Sequence, residues 1–451
     1  MALKIFAPMV IFSLFGTLTA AFPGCSSDPK KGSAELVVWN VFDDTDVFKP
    51  LIDQFKKEYP KVKITYYKKP VESYEQDLIN ALAAGRGPDI FAVHNTWLAK
   101  HGDKITPMKT SSSIGEETMT VKEFRDSFVD VAAQDFVLAP QDAQGNVYPE
   151  QIYGIPLYID TLALFWNKDI FNSEDIAEPP KDWNEFSTMV EKLTKKDESG
   201  NILRAGAAIG TSQNINRASD ILQLIMMQHG TEMVNLKRGE ASFNKPVVAS
   251  GQSYNSGLES LRFYTDFANP NKKSYTWNNN MDYSIDAFAE GKVAMMINYS
   301  YHIATIQAKQ PHMRFGIAPI PQPRDASVEV NYPLYWGLSV SSSASANNAT
   351  YAWIFLKWLA QRDKASQYME LSGRPASRRD LAQEQQNDVM LGAFARQALS
   401  ARSWYQVDET NVAKVFNDMI DAVVSGKETV EQAISRGANE VTVLMQKSPG
   451  Q

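Results

Sequence analysis

The chain is poor in the residues that build cross-links and metal centres: among 451 residues there are one cysteine and five histidines. One cysteine excludes an intramolecular disulfide and a Cys-based zinc site, and His94, His101, His229, His302 and His312 show no HExxH-like spacing. Metal catalysis is not expected, and His94 and His302 read as hydrogen-bonded fillers rather than ligands or catalysts. Basic charge is also not in excess, since 45 Lys and Arg against 52 Asp and Glu give a formal charge of −7. Without a basic block the chain lacks the electrostatic footprint of a nucleic-acid partner. No GxGxxG or Walker sequence opens a helix after a strand, which disfavours a nucleotide-phosphate site. No internal repeat is present, and no low-complexity segment beyond residues 26–34.

What is present is a globular composition, 44% hydrophobic and 22% charged, long enough for two to three domains at roughly 150 residues each. At the amino terminus, residues 5–22 (IFAPMVIFSLFGTLTAAF) form an uncharged apolar run behind Lys4. This is the plan of an export signal, taken here as residues 1–24. An uncleaved membrane helix is the competing reading, weakened by Pro8, Gly16 and a length at the lower limit for spanning. The sole cysteine, Cys25, falls directly behind the run, and SSDPKKGSA (26–34) reads as a polar, flexible leash.

The folded part opens with ELVVWNVF (35–42), a β-branched and aromatic run. From Thr45 onward Phe48, Leu51, Ile52, Phe55 and Tyr59 recur at helical spacing until Pro60. Val62, Ile64 and Tyr66 alternate as a strand, Tyr74, Leu78 and Leu82 mark a second helix, and GPDIFAV (87–93) reads as a buried strand. A βαβαβ start implies a parallel sheet wrapped by helices, with ligands beyond the carboxyl ends of the strands, at Asn40–Asp44 and His94–Trp97. Residues 152–166 are too long an apolar stretch for one strand and are broken by Pro156 and Asp160, which suits a crossing between lobes. Asp182 and Glu185 start a helix like a capping box. AGAAIG (205–210) reads as a close-packed strand leaving into the polar loop GTSQNIN (210–216). VAMMI (293–297), FGIAPIP (315–321) and GLSVSS (337–342) are further strands, and the rest is helical.

The succession WNVFDDTDVFKPLIDQFKKEYP, GRGPDIFAV, YGIPLYIDTLALFWNKDIF, PPKDWNEF, AFAEGKVAMMINYSY, YWGLSV and SGRPASRRD resembles the extracellular solute-binding proteins of family 1, the sugar-binding receptors of ABC importers. The resemblance covers residues 35 to about 447. It implies an α/β, two-lobed periplasmic-binding-protein-like fold, each lobe a mainly parallel sheet flanked by helices and hinged about a ligand cleft. Lobe one would comprise 35–157 plus 338–374, and lobe two 158–337 plus 375–451, with crossings at Pro156–Thr161, Tyr335–Ser339 and Gly373–Ser377. The cleft would take Asn40, Phe42, Asp43 and Asp44 from the first strand exit, Asn95 and Trp97 from the third, and Tyr158 and Asp160 from the first crossing. Gln213, Asn214, Asn216, Asn298 and Tyr301 would face them, with Trp336 and Arg374 at the later crossings. Where maltodextrin binders carry an acidic residue and then Arg, this chain has Asn95 and Thr96, a departure that counts against a maltose-specific reading.

The amino terminus likewise resembles a lipoprotein signal cleaved before Cys25. Gly24 fits that motif, while Phe22 and Pro23 depart from it. The implied protein is a lipid-anchored, extracytoplasmic monomer with no cofactor, whose partners are a sugar and the permease subunits of an importer.

The residue types make chemical sense for sugars. Flat aromatic faces take the C–H side of a ring, and planar amides, carboxylates and guanidinium groups pair its hydroxyls. Other readings stand beside this one. Trp39 and Trp166 lie within apolar strands and read as core, and Trp97 and Trp336 suit core or cleft equally. Asp43 could cap the following helix, Asn95 could serve a turn, and Asn214 and Asn216 could be loop polars. Tyr275, Trp277 and Tyr283 read as packing or as a cleft-edge loop, and Arg374 has a structural reading in a Gly-Arg-Pro turn. At the level of function, one alternative is a receptor for a peptide, polyamine or other polar solute. The other is a secreted glycosidase using Asp43, Asp44 or Asp160, which would need two carboxyls roughly 5–9.5 Å apart from different loops.

Overall fold

Strand β1 (Ala34–Asn40) buries alternate side chains, Ala34, Leu36 and Val38, beneath the helices that follow it. The computed structural model describes residues 30, 32–109, 119–141, 144–237, 239–249 and 252–446. The export signal over 1–24, the lipidation site Cys25 and most of the leash lie outside the described residues. Ala34, expected as the last leash residue, is already paired with Val62.

Helix α1 (Thr45–Glu58) turns Val47, Phe48, Leu51, Ile52 and Phe55 onto one buried face and ends at Tyr59, before Pro60. The chain continues through β2 (Val62–Lys68), α2 (Val71–Ala83) and β3 (Ile90–His94), whose five residues are all buried, as expected for a central strand covered on both faces. Helices α3 (Leu98–His101) and α4 (Asp130–Phe136) lie beyond it. Strand β4 (Ile155–Pro156) is the last of the first sheet before the crossing. Strand β5 (Asp160–Thr161) bridges to the second lobe, where the chain runs through β6 (Ala163–Asn167), α5 (Trp183–Leu193), β7 (Lys195–Lys196) and β8 (Ile202–Ala208). Next come α6 (Ala218–Gln228), β9 (Val293–Asn298), α7 (His302–Lys309) and β10 (Phe315–Ala318). Strands β11 (Pro333–Leu334) and β12 (Trp336–Val340) return to the first lobe, which α8 (Ala346–Leu359) and α9 (Arg362–Ser372) complete. Helices α10 (Glu409–Val424) and α11 (Val430–Gln446) close the second lobe.

Each lobe has its own core. Phe48, Phe55, Tyr74, Phe91 and Phe355 belong to one, and Phe165, Phe186, Leu222, Phe288 and Phe416 to the other. Asp182 caps α5 by accepting from the N–H groups of Asn184 and Glu185 (2.9 and 2.8 Å), while Glu185 reaches back to the Lys181 N–H at 2.9 Å.

The sheets are mixed, which corrects the expectation of mainly parallel ones. The first has the order β2-β1-β3-β12-β4 and the second β10-β6-β9-β8-β7. Only β1–β2, β1–β3 and β8–β9 are parallel pairs within them. The crossings explain this. Strand β12 starts with Trp336 opposite His94, the last residue of β3, and β6 starts with Ala163 opposite Asn298, the last residue of β9. Both strands therefore enter a sheet at its cleft edge and must run away from it.

The lobe limits shift for the same reason. Tyr158, Tyr335 and Trp336, expected in lobe two, are buried in the first core, as are Ala376, Leu381 and Ala382. Backbone bridges Tyr158–Ala376 and Phe128–Arg378 hold the third crossing segment against the first lobe.

Gly206 in β8 accounts for the close packing read from AGAAIG: a Cβ there would lie 2.5 Å from the Val190 carbonyl oxygen and 2.8 Å from its Cα. Gly206→Ala is therefore expected to destabilise the protein by about 1–3 kcal/mol in urea denaturation. Gly102→Ala, with a φ of −57° and open space around the position, should stay within about 0.5 kcal/mol of wild type.

Candidate ligand-binding cleft

The first strand exit is organised by Asp43. This buried carboxylate accepts from the Arg374 Nε and the Tyr368 hydroxyl, both at 2.9 Å, and from the Asn40 Nδ2 at 3.3 Å. Asn40 also accepts from the Val41 N–H through its Oδ1. Asp43 is thus the counter-ion that fixes Arg374, and Asn40 is spent on the same turn. Asp44, not Asp43, occupies the cap position of α1; its side chain makes no cap bond and pairs with Lys68 at 2.7 Å on the surface. Held by Asp43, the Arg374 guanidinium lies 4.3 Å from the centre of the Tyr158 ring and 5.8 Å from that of Phe42.

An aromatic wall follows. Phe42, 38% exposed, sets its ring edge-on to Trp336 at 5.8 Å, and Trp336 meets Trp97 at 4.9 Å and His94 at 5.3 Å. Trp97 and Trp336 are each only 9% exposed and also pack on Tyr74, so both belong to the first core. Trp39 and Trp166, read as core, are half-buried, with Lys69 and Lys168 over their faces at 4.0 and 5.6 Å.

Beyond β3 the wall turns polar. His94 is buried, its Nδ1 lies 2.9 Å from the Thr96 hydroxyl, and its Nε2 has no partner. Burial, reinforced by the charge of Arg217, pushes its pKa down to about 3, so the ring is neutral. Asn95 donates to Asp135 at 3.0 Å and leaves its Oδ1 unpartnered. Asp135 also accepts from Tyr335 at 2.7 Å and from the Ser403 hydroxyl, and burial raises its pKa to about 6. Asp160 behaves likewise: Ser300 donates both its N–H (3.0 Å) and its hydroxyl (2.7 Å), the Thr161 N–H adds a third donor at 2.9 Å, and burial holds the pKa at about 6. It pins the first crossing to the loop after β9.

The second lobe contributes Tyr301, which receives the Arg217 Nε at 3.1 Å, and Asn216, which donates to Tyr283 at 2.8 Å and lies 3.3 Å from His302. Three expected contacts are occupied elsewhere. Asn214 accepts from Thr211 and Trp277 and donates to the carbonyls of Asn278 and Met281, so it ties the loop together. Trp277 is fully buried there as packing. Gln213 is exposed and reaches Asp421 at 3.3 Å, and Asn298 is fully buried at the end of β9, accepting from the Tyr299 N–H. Arg217, Asp220, Gln406 and Glu409 were not anticipated. The polar loop read as 210–216 stops one residue short of Arg217, and nothing in the local pattern marks the other three.

Between the lobes lies a cavity of about 620 Å³, walled by Asn95, Leu98 and Asp135 on one side and Met233, Trp404 and Gln406 on the other. A narrower pocket beside it is lined by His94, Asn95, Asp220, Gln406 and Glu409. The lobes meet at its rim: Lys100 bridges Glu75 of its own lobe (2.7 Å) and Asp408 at the start of α10 (3.1 Å), and Gln134 donates to the Ser403 carbonyl at 2.8 Å. Two α/β lobes closing on a pocket with unpartnered polar atoms form the architecture of a binding protein, and the family model for bacterial extracellular solute-binding proteins matches residues 42–365. The chain belongs to that family.

This solute-binding protein is 22% identical over 450 residues to the galactooligosaccharide-binding protein of Bacillus subtilis, covering 97% of this chain and 96% of that one. It is 24% identical over 343 residues to the maltotriose-binding protein of Pyrococcus abyssi, covering 75% of this chain but 65% of the relative. Among solved structures, the cyclic α-maltosyl-1,6-maltose binding protein of Arthrobacter globiformis superposes with a TM-score of 0.72 at 18% identity, covering 92% of this chain and 100% of that one.

The raised carboxyls of the solute-binding protein give it a pH signature. Unfolded aspartates titrate near about 4, so between that pH and about 6 the folded state keeps protons on Asp135 and Asp160 that the unfolded state has released. Their contribution is fully present below about pH 4 and is lost as the pH rises through about 6. Melting temperature measured from pH 4 to pH 7 is expected to fall less in Asp160→Asn than in wild type.

Proposed function

We propose that this chain is the substrate-binding component of an ABC importer that captures a sugar or oligosaccharide between its lobes and delivers it to permease subunits. The observation that carries the reading is an exposed aromatic edge, Phe42 with Trp336 and Trp97 behind it, together with unpartnered polar groups, Asn95 and Gln406, in the cavity between the lobes. Stacking needs the first and hydroxyl pairing the second. The relatives support the class of cargo by what they bind. A ligand touching both walls favours the closed state by its differential affinity, and this couples capture to the shape a permease would receive.

Membership of an extracellular family places the site of action outside the cytoplasm. The export signal at 1–24 and the cysteine behind it support anchoring through a lipid on Cys25, with the protein acting as a monomer that needs no cofactor. The glycosidase alternative lacks free acids: Asp43 is held by Arg374 and Tyr368, Asp44 by Lys68, and Asp160 by Ser300. We assign no catalytic role.

A thermal-shift screen of residues 26–451 against neutral and acidic oligosaccharides, peptides and polyamines tests the reading. Sugars are expected to raise the melting temperature; shifts with peptides or polyamines alone would replace it. Phe42→Ala should weaken affinity for the best sugar about tenfold while leaving the unliganded melting temperature close to wild type, because this ring is the exposed one.

A further inference from the structure

The polar side chains that line the cavity of about 620 Å³ between the lobes are largely spent on protein partners. The Thr96 hydroxyl lies 2.9 Å from His94 Nδ1, and the Thr231 hydroxyl 2.9 Å from that of Ser256. Gln134 donates to the Ser403 carbonyl, Asp135 accepts from Asn95, Tyr335 and Ser403, and Arg402 gives Nη1 to the Ala401 carbonyl at 3.0 Å. Of the buried polar side-chain atoms described in this wall, two are left without a partner: Asn95 Oδ1 in the first lobe and Gln406 Oε1 in the second. Their neighbours fix both as acceptors. Asn95 offers Nδ2 to the Asp135 carboxylate, which when ionised can only accept. The Trp404 indole N–H can only donate, so it makes Gln223 Oε1 an acceptor at 2.8 Å. The Tyr332 hydroxyl donates to that same oxygen at 2.7 Å and therefore accepts from Gln406 Nε2 at 3.0 Å, which leaves Oε1 facing no donor.

Much of the remaining wall is aliphatic. Leu98 and Leu138 come from the first lobe, and Met227, Met233 and Leu236 from the second. Leu138 and Leu236 are 37% and 61% exposed, and Tyr405 of the same wall 42%, so apolar side chains from both lobes stand in water at one cavity. Exposed apolar groups gathered in this way mark ligand grooves. The C–H face of a sugar seeks a flat aromatic ring, whereas aliphatic and thioether side chains fit irregular apolar groups. A bare oligosaccharide filling this volume would also bury many hydroxyls against two free acceptors, and each one left unpaired costs affinity. A sugar with an apolar substituent meets both demands. Its hydroxyls pair with the acceptors, and the substituent takes leucine and methionine side chains out of water.

Resting on the reading of a sugar receptor, we propose that the cavity selects a glycoside with an apolar aglycone. The sugar hydroxyls donate to Asn95 and Gln406, and the aglycone packs on Met227, Met233 and Leu236. Because the two acceptors stand on different lobes, the sugar end favours closure. The aglycone end sets specificity.

Calorimetric titration of the protein with matched phenyl and methyl glycosides of galactobiose and of maltose tests the proposal. In at least one pair the phenyl glycoside is expected to bind about tenfold more tightly than its methyl partner. Met227→Gln on α6 and Leu236→Asn both lie at positions partly open to solvent, so both variants should fold as wild type. Each should cut the phenyl advantage to about threefold or less while leaving methyl glycoside affinity within about twofold. Equal affinity within both pairs overturns the apolar selection but leaves the receptor reading intact. A phenyl advantage that survives both substitutions overturns the assignment to this wall. Binding of neither pair overturns the inference as well, and the thermal-shift screen then decides the receptor reading separately.

Discussion

The site depends first on one buried carboxylate. Asp43 draws together the exit of β1, the helix α9 through Tyr368, and the third crossing through Arg374, segments more than three hundred residues apart in the chain. The Tyr66 hydroxyl adds β2 by donating to the Asp43 carbonyl at 2.5 Å. A buried charge is tolerated when paired and hydrogen-bonded, and leaving its partner alone costs about 3–5 kcal/mol. Here the pair also orients. With Nε committed to Asp43, the guanidinium lies over Tyr158 and toward Phe42.

The second constraint is topological. Because β12 and β6 enter their sheets at the cleft edge, Trp336 comes beside His94, and Ala163, a few residues past Asp160, comes beside Asn298. The segments that cross between the lobes therefore carry Trp336 and Asp160 themselves. The contact of Lys100 with Asp408 closes the rim from the far side. Partly exposed, it contributes little stability by itself and can open and close with the lobes.

Much of this fold can be read from local pattern. The alternation of Val62, Ile64 and Tyr66, the helical spacing ending at Pro60, and Asp182 before Trp183 are short-range signals that the structure repeats in β2, α1 and α5. Strand direction is not such a signal, since alternation looks the same either way, and so the mixed sheets were not foreseen. Of the residues expected from strand ends, Asn95 lines the cavity between the lobes, and Phe42, Trp97 and Trp336 form one ring cluster. The sequence could not say which polar groups are consumed internally. Asn214 and Asp160 look like free site residues until their partners, Trp277 and Ser300, are brought in from distant segments. The left-handed backbone at Arg217 is equally invisible in the local pattern, because no glycine or asparagine marks the position.

The central claim is that the ligand joins the two walls and thereby closes the lobes. A double-mutant cycle of Phe42→Ala and Tyr301→Ala, one from each wall, measured by calorimetry with the sugar of largest thermal shift, tests this most directly. If closure couples the walls, either substitution removes part of what the other contributes, and the double variant loses less affinity than the two single losses combined, with a coupling above about 0.5 kcal/mol. Losses additive to within about 0.3 kcal/mol would show two independent patches and contradict the account.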